Sequence, residues 1–545
     1  MMKKIMILGA GLMQKPAILA AKNLGYESVV VDGNPNAVSV PLADHFYPID
    51  LKDKEALVQL ADKINSESGE DGLAAVFTAG TDFSANVAYV AEHCGLPCHK
   101  YEACLNASDK VRMRGCFTRE NVPSPDFQQI DSESLKTLSK EVEEDKVEFP
   151  KVVKPCDNMG GRGCRLVRSK EEFSIAVENA VKNSRTNRAI FEDYMEGAEF
   201  SIDSVVYNGT LTITGFADRH IFYPPYFIEM GHSLPTAIDS KMKNELIATF
   251  ALGIKALGLT HGVAKADIKY TKNGPMIGEI AARLSGGYMS GWTYPYSSGQ
   301  NLTEIAMNLA LGQKPVKLLQ DRVPLQWQPH KSVEGREMPF ELYELRSLRY
   351  TAERAWISIP GKVSKIYGMD AVKTFAFVRD VLPRVKEGDT VDFPRNNVEK
   401  CGNILAVADS RQAAYDAAHK AVSAITIRLE PNNPQTDKFL AGLCEADEKG
   451  FPYSAFTFAP QNGNSSKIGS GTVIPANSPA KDCIPEILIP LADSLTDWNH
   501  CTLRQALEKF DKLCPEHREL DGGKFWSALL RGGIQGALYM ADSNQ

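Results

Sequence analysis

Through the first hundred residues, short apolar runs alternate with amphipathic stretches. K-K-I-M-I-L-G reads as a strand, residues 15–24 as a helix and S-V-V-V-D-G-N-P as a second strand. L-A-A-V-F-T-A-G predicts a further strand that leads into a helix over residues 81–94. This βαβ rhythm predicts a Rossmann-like parallel sheet. After S-D-K at residues 108–110 the periods change: a helical stretch, a turn at Pro123–Pro125 and an acidic helix lead into F-P-K-V-V-K-P. C-D-N-M-G-G-R-G-C-R-L-V then joins two strands through a glycine loop, unlike the strand-to-helix passage of a Walker P-loop. A-I-F-E-D-Y-M-E-G-A-E-F-S-I-D-S-V-V-Y reads as strand, turn at Glu196-Gly197, and strand. A-D-I-K-Y and P-M-I-G-E-I are linked by T-K-N-G, whose Asn-Gly pair signals a hairpin. Two later strands, A-W-I-S-I-P-G-K-V and G-N-I-L-A-V-A, and the helix D-S-R-Q-A-A-Y-D-A-A-H-K-A complete the patterned part near residue 430. Beyond it, Pro431–Pro434 and residues 460–467 read as linker. T-L-R-Q-A-L-E-K-F-D-K-L reads as a helix, and the chain closes on a Gly-rich apolar run, K-F-W-S-A-L-L-R-G-G-I-Q-G-A-L-Y-M.

With 545 residues, 43% hydrophobic and 24% charged, the chain is an ordinary globular sequence of about three or four domains. A net charge of -7 gives no global attraction for nucleic acid. Gln14-Lys15-Pro16 interrupts the first apolar run, which favours strand, glycine turn and helix over a signal peptide. No run of 18 apolar residues follows, so the expected compartment is cytoplasmic, without a membrane partner. The eleven scattered cysteines fit reduced thiols. The spacing of His93-Cys94 and Cys98-His99 resembles a metal site, but the surrounding pattern reads as a helix end and a short strand.

The chemistry concentrates in a few places. A hairpin over residues 266–280 would set Asp267 beside Glu279, a pair of hard oxygen donors suited to magnesium; ordinary solvated charges are the alternative. Arg283 and Ser285-Gly286-Gly287 follow, a guanidinium and open amides that suit an anion. Gly160, Gly161 and Gly163 let loop amides approach phosphate, Arg162 adds charge, and Lys154 reaches the same region; a flexible hairpin is the alternative. Glu192 and Glu199 flank the Glu196-Gly197 turn and could accept from ribose; ordinary solvated charges are the alternative. Gly9-Ala10-Gly11 with Asp32 imitates a dinucleotide fingerprint, but Gln14 stands where the third glycine belongs.

In this order the segments resemble the ATP-grasp superfamily over about residues 3–430. The resemblance implies an α/β and α+β architecture: a Rossmann-like domain over 1–107, an ATP-grasp domain over 108–315 with a small glycine-loop lobe at 112–193, a C-terminal lobe over 316–430, and an appended domain over 431–545. It implies ATP contacts from Lys110, Lys154, Gly160, Gly161, Arg162 and Gly163, with Glu192 at the adenine hinge and Glu199 at the ribose. It places magnesium or manganese on Asp267 and Glu279, and makes Arg283 and Lys154 the catalytic cations. The family's usual Asn at the second metal strand is Ala281 here, and Asp267 replaces a more usual Glu. P-P-Y-F-I-E-M-G-H-S-L-P resembles a substrate-side motif of carboxylate-amine ligases, which adds Glu229 and His232 to Arg283, Ser285, Gly286 and Gly287 as substrate contacts; a rigid lid built by its aromatics and prolines is the alternative. The implied reaction joins a small carboxylate, activated as an acyl phosphate, to an amine with release of ADP and phosphate. A purine-biosynthetic or carboxylating enzyme and an inert ATP-binding regulator are the alternatives. A homodimer is left open. Residues after about 430 carry no ATP or metal group and are expected to be dispensable for the ATP half-reaction.

Overall fold

The computed structural model describes residues 2–325, 337–443, 451–458 and 468–543. The linker expected at 460–467 lies outside the described residues. The chain divides into two compact units, residues 1–220 with 232–351, and residues 221–231 with 352–545.

The first unit opens with a four-stranded parallel sheet in the order His45–Tyr47, Glu27–Val31, Lys4–Leu8, Leu73–Phe77. Helices Lys15–Asn23 and Ser84–His93 belong to it, as the alternating pattern predicts. Gln14 is buried and ties its turn together. Its side chain exchanges hydrogen bonds with the main chain of Ala79, accepting from the amide at 3.0 Å and donating to the carbonyl. Asp32 accepts from the Ala10 amide at 2.8 Å, so the carboxylate of the apparent fingerprint serves its own turn. The residue that spoils the dinucleotide motif thus packs on the first glycine of the turn, where a Cβ added to Gly9 would meet its side chain at 3.1 Å.

A small antiparallel sheet follows, ordered Phe127–Ile130, Ala189–Asp193, Lys151–Pro155, Arg165–Val167. Its core gathers Ile130, Leu138, Val153, Phe173 and Phe191 with helices Ser134–Glu143 and Phe173–Lys182. A larger sheet carries Gly274–Ala281, Gly262–Thr271, Ala198–Tyr207 and Thr210–Phe222 in that order. Helix Ser240–Leu257 packs on its apolar face, against Phe200, Ile202, Ile268, Ile277 and Ile280. The helix starts where Asp239 accepts from the Met242 amide and stops at Gly258, whose φ of 84° ends it in the left-handed region.

The second unit holds the strands Gly361–Tyr367, Val378–Pro383 and Gly402–Ala408, the helix Arg411–Ala424 and the strand Thr426–Leu429. Residues after 430 do not stand apart as an appended domain. The last helical segment, Gly522–Ser543, is broken at Gly533, where φ is 61° and ψ is -153°, and it packs on Thr426–Leu429; Arg428 pairs with Asp542, and Gln535 donates to Ser358 at 2.8 Å. Phe525, Trp526, Leu529 and Leu530 are buried in this unit, so the apolar end is core. Residues 316–351 group with the first unit rather than with 352–430. Pro431–Pro434 is less a linker than a helix start: Asn433 caps Pro434–Leu440 by accepting from the Gln435 amide at 2.9 Å, with proline at the first helical position. Among the described residues no helix is long and apolar enough to cross a membrane, and every cysteine is a free thiol.

Candidate active site

Strand alternation builds the site. On Gly262–Thr271 the even partners Ala266 and Ile268 enter the core, which turns Lys265, Asp267 and Lys269 to the opposite face. Asp267 lies across from Glu279 in the antiparallel register, and the register shifts immediately afterwards, leaving Gly278 as an extra residue. A bulge of this kind re-aims the neighbouring side chain. Gly278 suits the position because an added Cβ would meet the Asp267 carbonyl oxygen at 3.0 Å. The hairpin is present, but its turn differs from the Asn-Gly expectation. Lys272 and Asn273 form the loop, and Gly274 alone takes a positive φ, 93°, as in a turn closed by a glycine bulge.

Both carboxylates sit among cations. Asp267 accepts from Lys265 Nζ at 2.6 Å and pairs with Arg219 at 3.1 Å, and Arg219 also holds Glu199 at 2.7 Å. Lys269 lies 3.3 Å from the other Glu199 oxygen. Burial by itself would push the Glu279 carboxyl up, but Lys110, Lys265, Arg283 and Lys154 outweigh it and hold the group at about 2. Lys110 Nζ is 3.8 Å from Glu279 and donates to the Asn158 carbonyl at 2.9 Å. Burial works against the charge of Lys110, yet Glu279 and Asp82 raise its pKa. Two carboxylates side by side across the hairpin are hard donors that fit a magnesium or manganese ion. Ala281, opposite Lys265, contributes only a methyl group where the resemblance would put a third ligand.

Asn158 opens the glycine loop between strands Lys151–Pro155 and Arg165–Val167, and its side-chain oxygen accepts from Arg162 at 3.1 Å. Gly160, Gly161 and Gly163 have φ of 72°, 76° and 69°, the left-handed region that glycine enters without strain. At Gly163 space matters too, since a Cβ would come within 2.8 Å of Asn183. Lys154, on the strand before the loop, pairs with Glu192. The other Glu192 oxygen accepts from Arg114 Nε at 2.9 Å, and Arg114 Nη2 donates to the Gly278 carbonyl at 2.7 Å. Burial would raise the Glu192 carboxyl, but Arg114 and Lys154 pull it below its ordinary value. Glu192 therefore joins two cations, and Glu199 faces Arg219 and Lys269; these are the placements of the residues expected at the adenine hinge and the ribose.

Ser285 is held by Asp203, which accepts from its amide at 3.0 Å and its hydroxyl at 2.9 Å. Burial pushes the Asp203 carboxyl up to about 6, against the pull of Ser285, Lys265 and Arg283. The Gly80 amide donates to the Leu284 carbonyl at 3.3 Å, and an added Cβ on Gly286 would lie 3.4 Å from the Gly80 oxygen, so only small residues let these loops meet. Beside them Asp82 is buried among Arg283, Glu279, Lys110 and Arg185; its carboxyl is raised by burial, with Arg283 the chief opposing influence. Arg283 is buried and donates to the Leu284 carbonyl at 3.0 Å. Thus Lys110, Lys154, the glycine loop, Asp267, Glu279, Arg283 and Ser285 converge in the first unit. Glu229 and His232 are divided between the units. Glu229 uses its main chain on Asn397 at 2.7 Å and Lys400 at 2.6 Å, while buried His232 meets the Thr293 hydroxyl at 2.8 Å.

Asp82, Arg114, Asp203, Arg219, Lys265 and Lys269 were not anticipated. Spacing carried a signal for most of them: Lys265 and Lys269 lie two residues either side of Asp267, Asp203 four beyond Glu199 on one strand face, and Arg114 four beyond Lys110 on one helix face. Asp82 follows the carboxyl end of Leu73–Phe77, where ligand crevices form in parallel sheets. The paired His-Cys doublets do not assemble as ligands: His99 is buried, its Nε2 meets the Val263 carbonyl at 3.1 Å, and its Nδ1 accepts from the Thr260 and His261 amides.

Three family descriptions match the chain: a ribonucleotide synthetase preATP-grasp domain over residues 2–70, an ATP-grasp domain over 147–291, and L-amino acid ligase C-terminal domain 2 over 355–430. Carnosine synthase 1 of Mus musculus is 24% identical over 311 residues, 53% of this chain and 37% of that protein. A formate-dependent phosphoribosylglycinamide formyltransferase of Prochlorococcus marinus is 27% identical over 236 residues, 41% of this chain and 54% of that protein. The matches thus span 37% and 54% of the length of these two curated relatives. Among solved structures, an L-amino acid ligase from Bacillus licheniformis aligns with TM-score 0.64 at 18% identity, covering 78% of this chain and all but 1% of that one (99%). A phosphoribosylglycinamide synthetase from Anaerococcus prevotii aligns with TM-score 0.57 at 19% identity, covering 78% and 100%. The fold is ATP-grasp, with a preATP-grasp domain before it and an amino-acid-ligase type domain after it.

Proposed function

We propose that this ATP-grasp chain is an ADP-forming ligase that activates a small carboxylate, an amino acid or a close analogue, as an acyl phosphate and passes it to an amine. The observation that carries the reading is the pairing of Asp267 with Glu279 beneath Lys110, Lys154 and Arg283. Phosphoryl transfer asks a protein chiefly to position groups and neutralise charge, and this set supplies both. Asp267 and Glu279 would hold magnesium or manganese, which neutralises phosphate charge when bound. Lys110 and Lys154 meet the phosphates, and the Gly160–Gly163 loop offers its amides while covering them. Arg283 faces the carboxylate that accepts the phosphoryl group, where a guanidinium stabilises charge spread over oxygens. The Ser285–Gly287 loop, fixed by Asp203, presents main-chain amides to the same oxygens. Covering the site keeps water from the acyl phosphate until the amine arrives. Glu229 and His232 are assigned to the amine.

The match of residues 355–430 to an amino-acid-ligase domain favours this reading over a purine-biosynthetic one. The similarity to the formyltransferase keeps that second reading in view. The test is ADP formation by the full chain with pairs of proteinogenic L-amino acids, and in parallel with phosphoribosylated amines plus formate or bicarbonate. ADP release that needs two amino acids supports the proposal. ADP release only with a phosphoribosyl substrate, or none with any pair, overturns it.

A further inference from the structure

The strand Thr210–Phe222 carries Arg219, which touches Glu199 and Asp267, and two residues later the chain enters the 221–231 excursion. This excursion brings Glu229, and it is held in a bed of aromatic rings. Tyr223 packs against Phe393 with ring centroids 5.4 Å apart and against Tyr453 at 5.7 Å; Tyr226 meets Phe451 at 4.9 Å. Phe393 is itself backed by Trp498 at 5.2 Å and Phe451 at 5.4 Å. The Tyr453 hydroxyl donates to the Pro224 carbonyl at 2.8 Å. Tyr223 has a φ of 64°, a left-handed conformation that a bulky side chain keeps only where its surroundings enforce it. Phe451, Tyr453 and Trp498 all come from the sequence beyond residue 430, and Phe393 from the segment before it. The segment without a recognisable motif thus supplies three of the four rings that seat the excursion.

We infer that Phe451, Tyr453 and Trp498 are positioning residues for residues 221–231, and that through them the C-terminal segment governs the amine-dependent half of the reaction. This rests on the proposed ligase reading, in which Glu229 addresses the amine. The residues assigned to ATP and metal belong to the first unit. Rings of this kind specify a backbone path because edge-to-face pairs are directional. The Tyr453 hydroxyl adds a hydrogen bond that fixes where the turn at Pro224 sits.

Removing the tail would also strip the partners of Arg428 and Thr426–Leu429, so the test uses single substitutions in the full chain. Tyr453→Phe deletes the hydroxyl's hydrogen bond to Pro224 and keeps the ring; Trp498→Leu removes the support behind Phe393. Hydrogen exchange should quicken in peptides covering 221–231 and stay unchanged over 262–281. With amino-acid pairs, KM for the amine partner in Tyr453→Phe should rise about three- to tenfold, the equivalent of one neutral hydrogen bond. KM for ATP should not move, nor should hydroxamate formed when hydroxylamine traps the activated carboxylate. Unchanged exchange over 221–231 in both variants overturns the clamp. Faster exchange with equal shifts in the ATP and amine KM values overturns its assignment to the amine step. If the unsubstituted chain forms no ADP with any pair, the ligase reading has failed, and the exchange data still decide the clamp.

Discussion

The carboxylates and cations around Asp267 and the rings around Tyr223 are both dense clusters, but the chain assembles them differently. The charged cluster is laid out by strand register: side chains two residues apart on one strand face meet partners fixed across the sheet. The aromatic cluster draws on four stretches spread over residues 223–498, brought together by packing rather than by register. The first is held largely by opposite charges, as in the Lys265–Asp267, Arg219–Glu199 and Arg114–Glu192 pairs. The second is rigid because rings interlock. A charge removed from the first leaves an uncompensated partner, whereas a ring trimmed in the second loosens a path without changing the local potential.

The largest effect should come from the charged cluster's centre. Glu279→Gln and Asp267→Asn each keep shape and remove the donor charge that a metal needs, so ADP formation should fall by orders of magnitude in a chain that still folds, while Glu279→Gln also lowers the unfolding midpoint because buried Lys110 loses its partner. Normal magnesium-dependent turnover in both variants would show that the pair is structural. Next in size is Arg114, whose loss leaves Glu192 buried with Lys154 alone. Arg114→Met should cost on the order of 3 kcal/mol in urea unfolding, the usual penalty for breaking a buried ion pair. Adding Glu192→Gln should restore part of it; if the double variant is no more stable than Arg114→Met, the pair is not coupled as the geometry requires. Smaller still is Asp203. Its carboxyl is raised from the ordinary 3.8 to about 6, so this group favours the folded state below pH 3.8 and loses that contribution as pH rises through 6. Activity runs the other way, because the ionised form accepts both Ser285 donors. Turnover should therefore fall below pH 6, and Asp203→Asn should flatten that acid limb with less than about a tenfold loss at pH 7. A limb unchanged in the Asn variant would assign it to another group.

Local patterns disclosed most of the charged side of the molecule. Asp267, Glu279, the glycine loop and Lys154 lie in short strand-turn-strand segments whose period and turn residues are visible in the sequence. Their ionic partners were less visible, since Arg114 reaches Glu192 and Gly278 over separations of 78 and 164 residues. The bulge at Gly278 leaves a trace in the sequence, because Ile277 and Ile280 enter the same core three residues apart, a spacing that a regular strand does not allow. The tail is hard to read for a different reason. Its apolar residues resemble a self-contained domain, and only the contacts of Gly522–Ser543 with Thr426–Leu429 reveal that they complete a core begun upstream. Pro431–Pro434 was misread because prolines and asparagines suit a linker as well as a helix start.

Gln14 has a consequence for how the molecule meets a mixed pool of nucleotides. A Rossmann-like sheet ahead of an ATP-binding domain offers two places where a nucleotide could lodge, and a chain with both open would answer to the ratio of dinucleotide to ATP. Here one glutamine side chain, bonded to Ala79 and packed on Gly9, stands at the third-glycine position, so the first sheet is expected not to hold a dinucleotide. Occupancy should then depend on ATP and on what competes with it in the second place alone. The first domain is left to do its work as a wall, carrying Gly80 and Asp82 up to the Ser285–Gly287 loop.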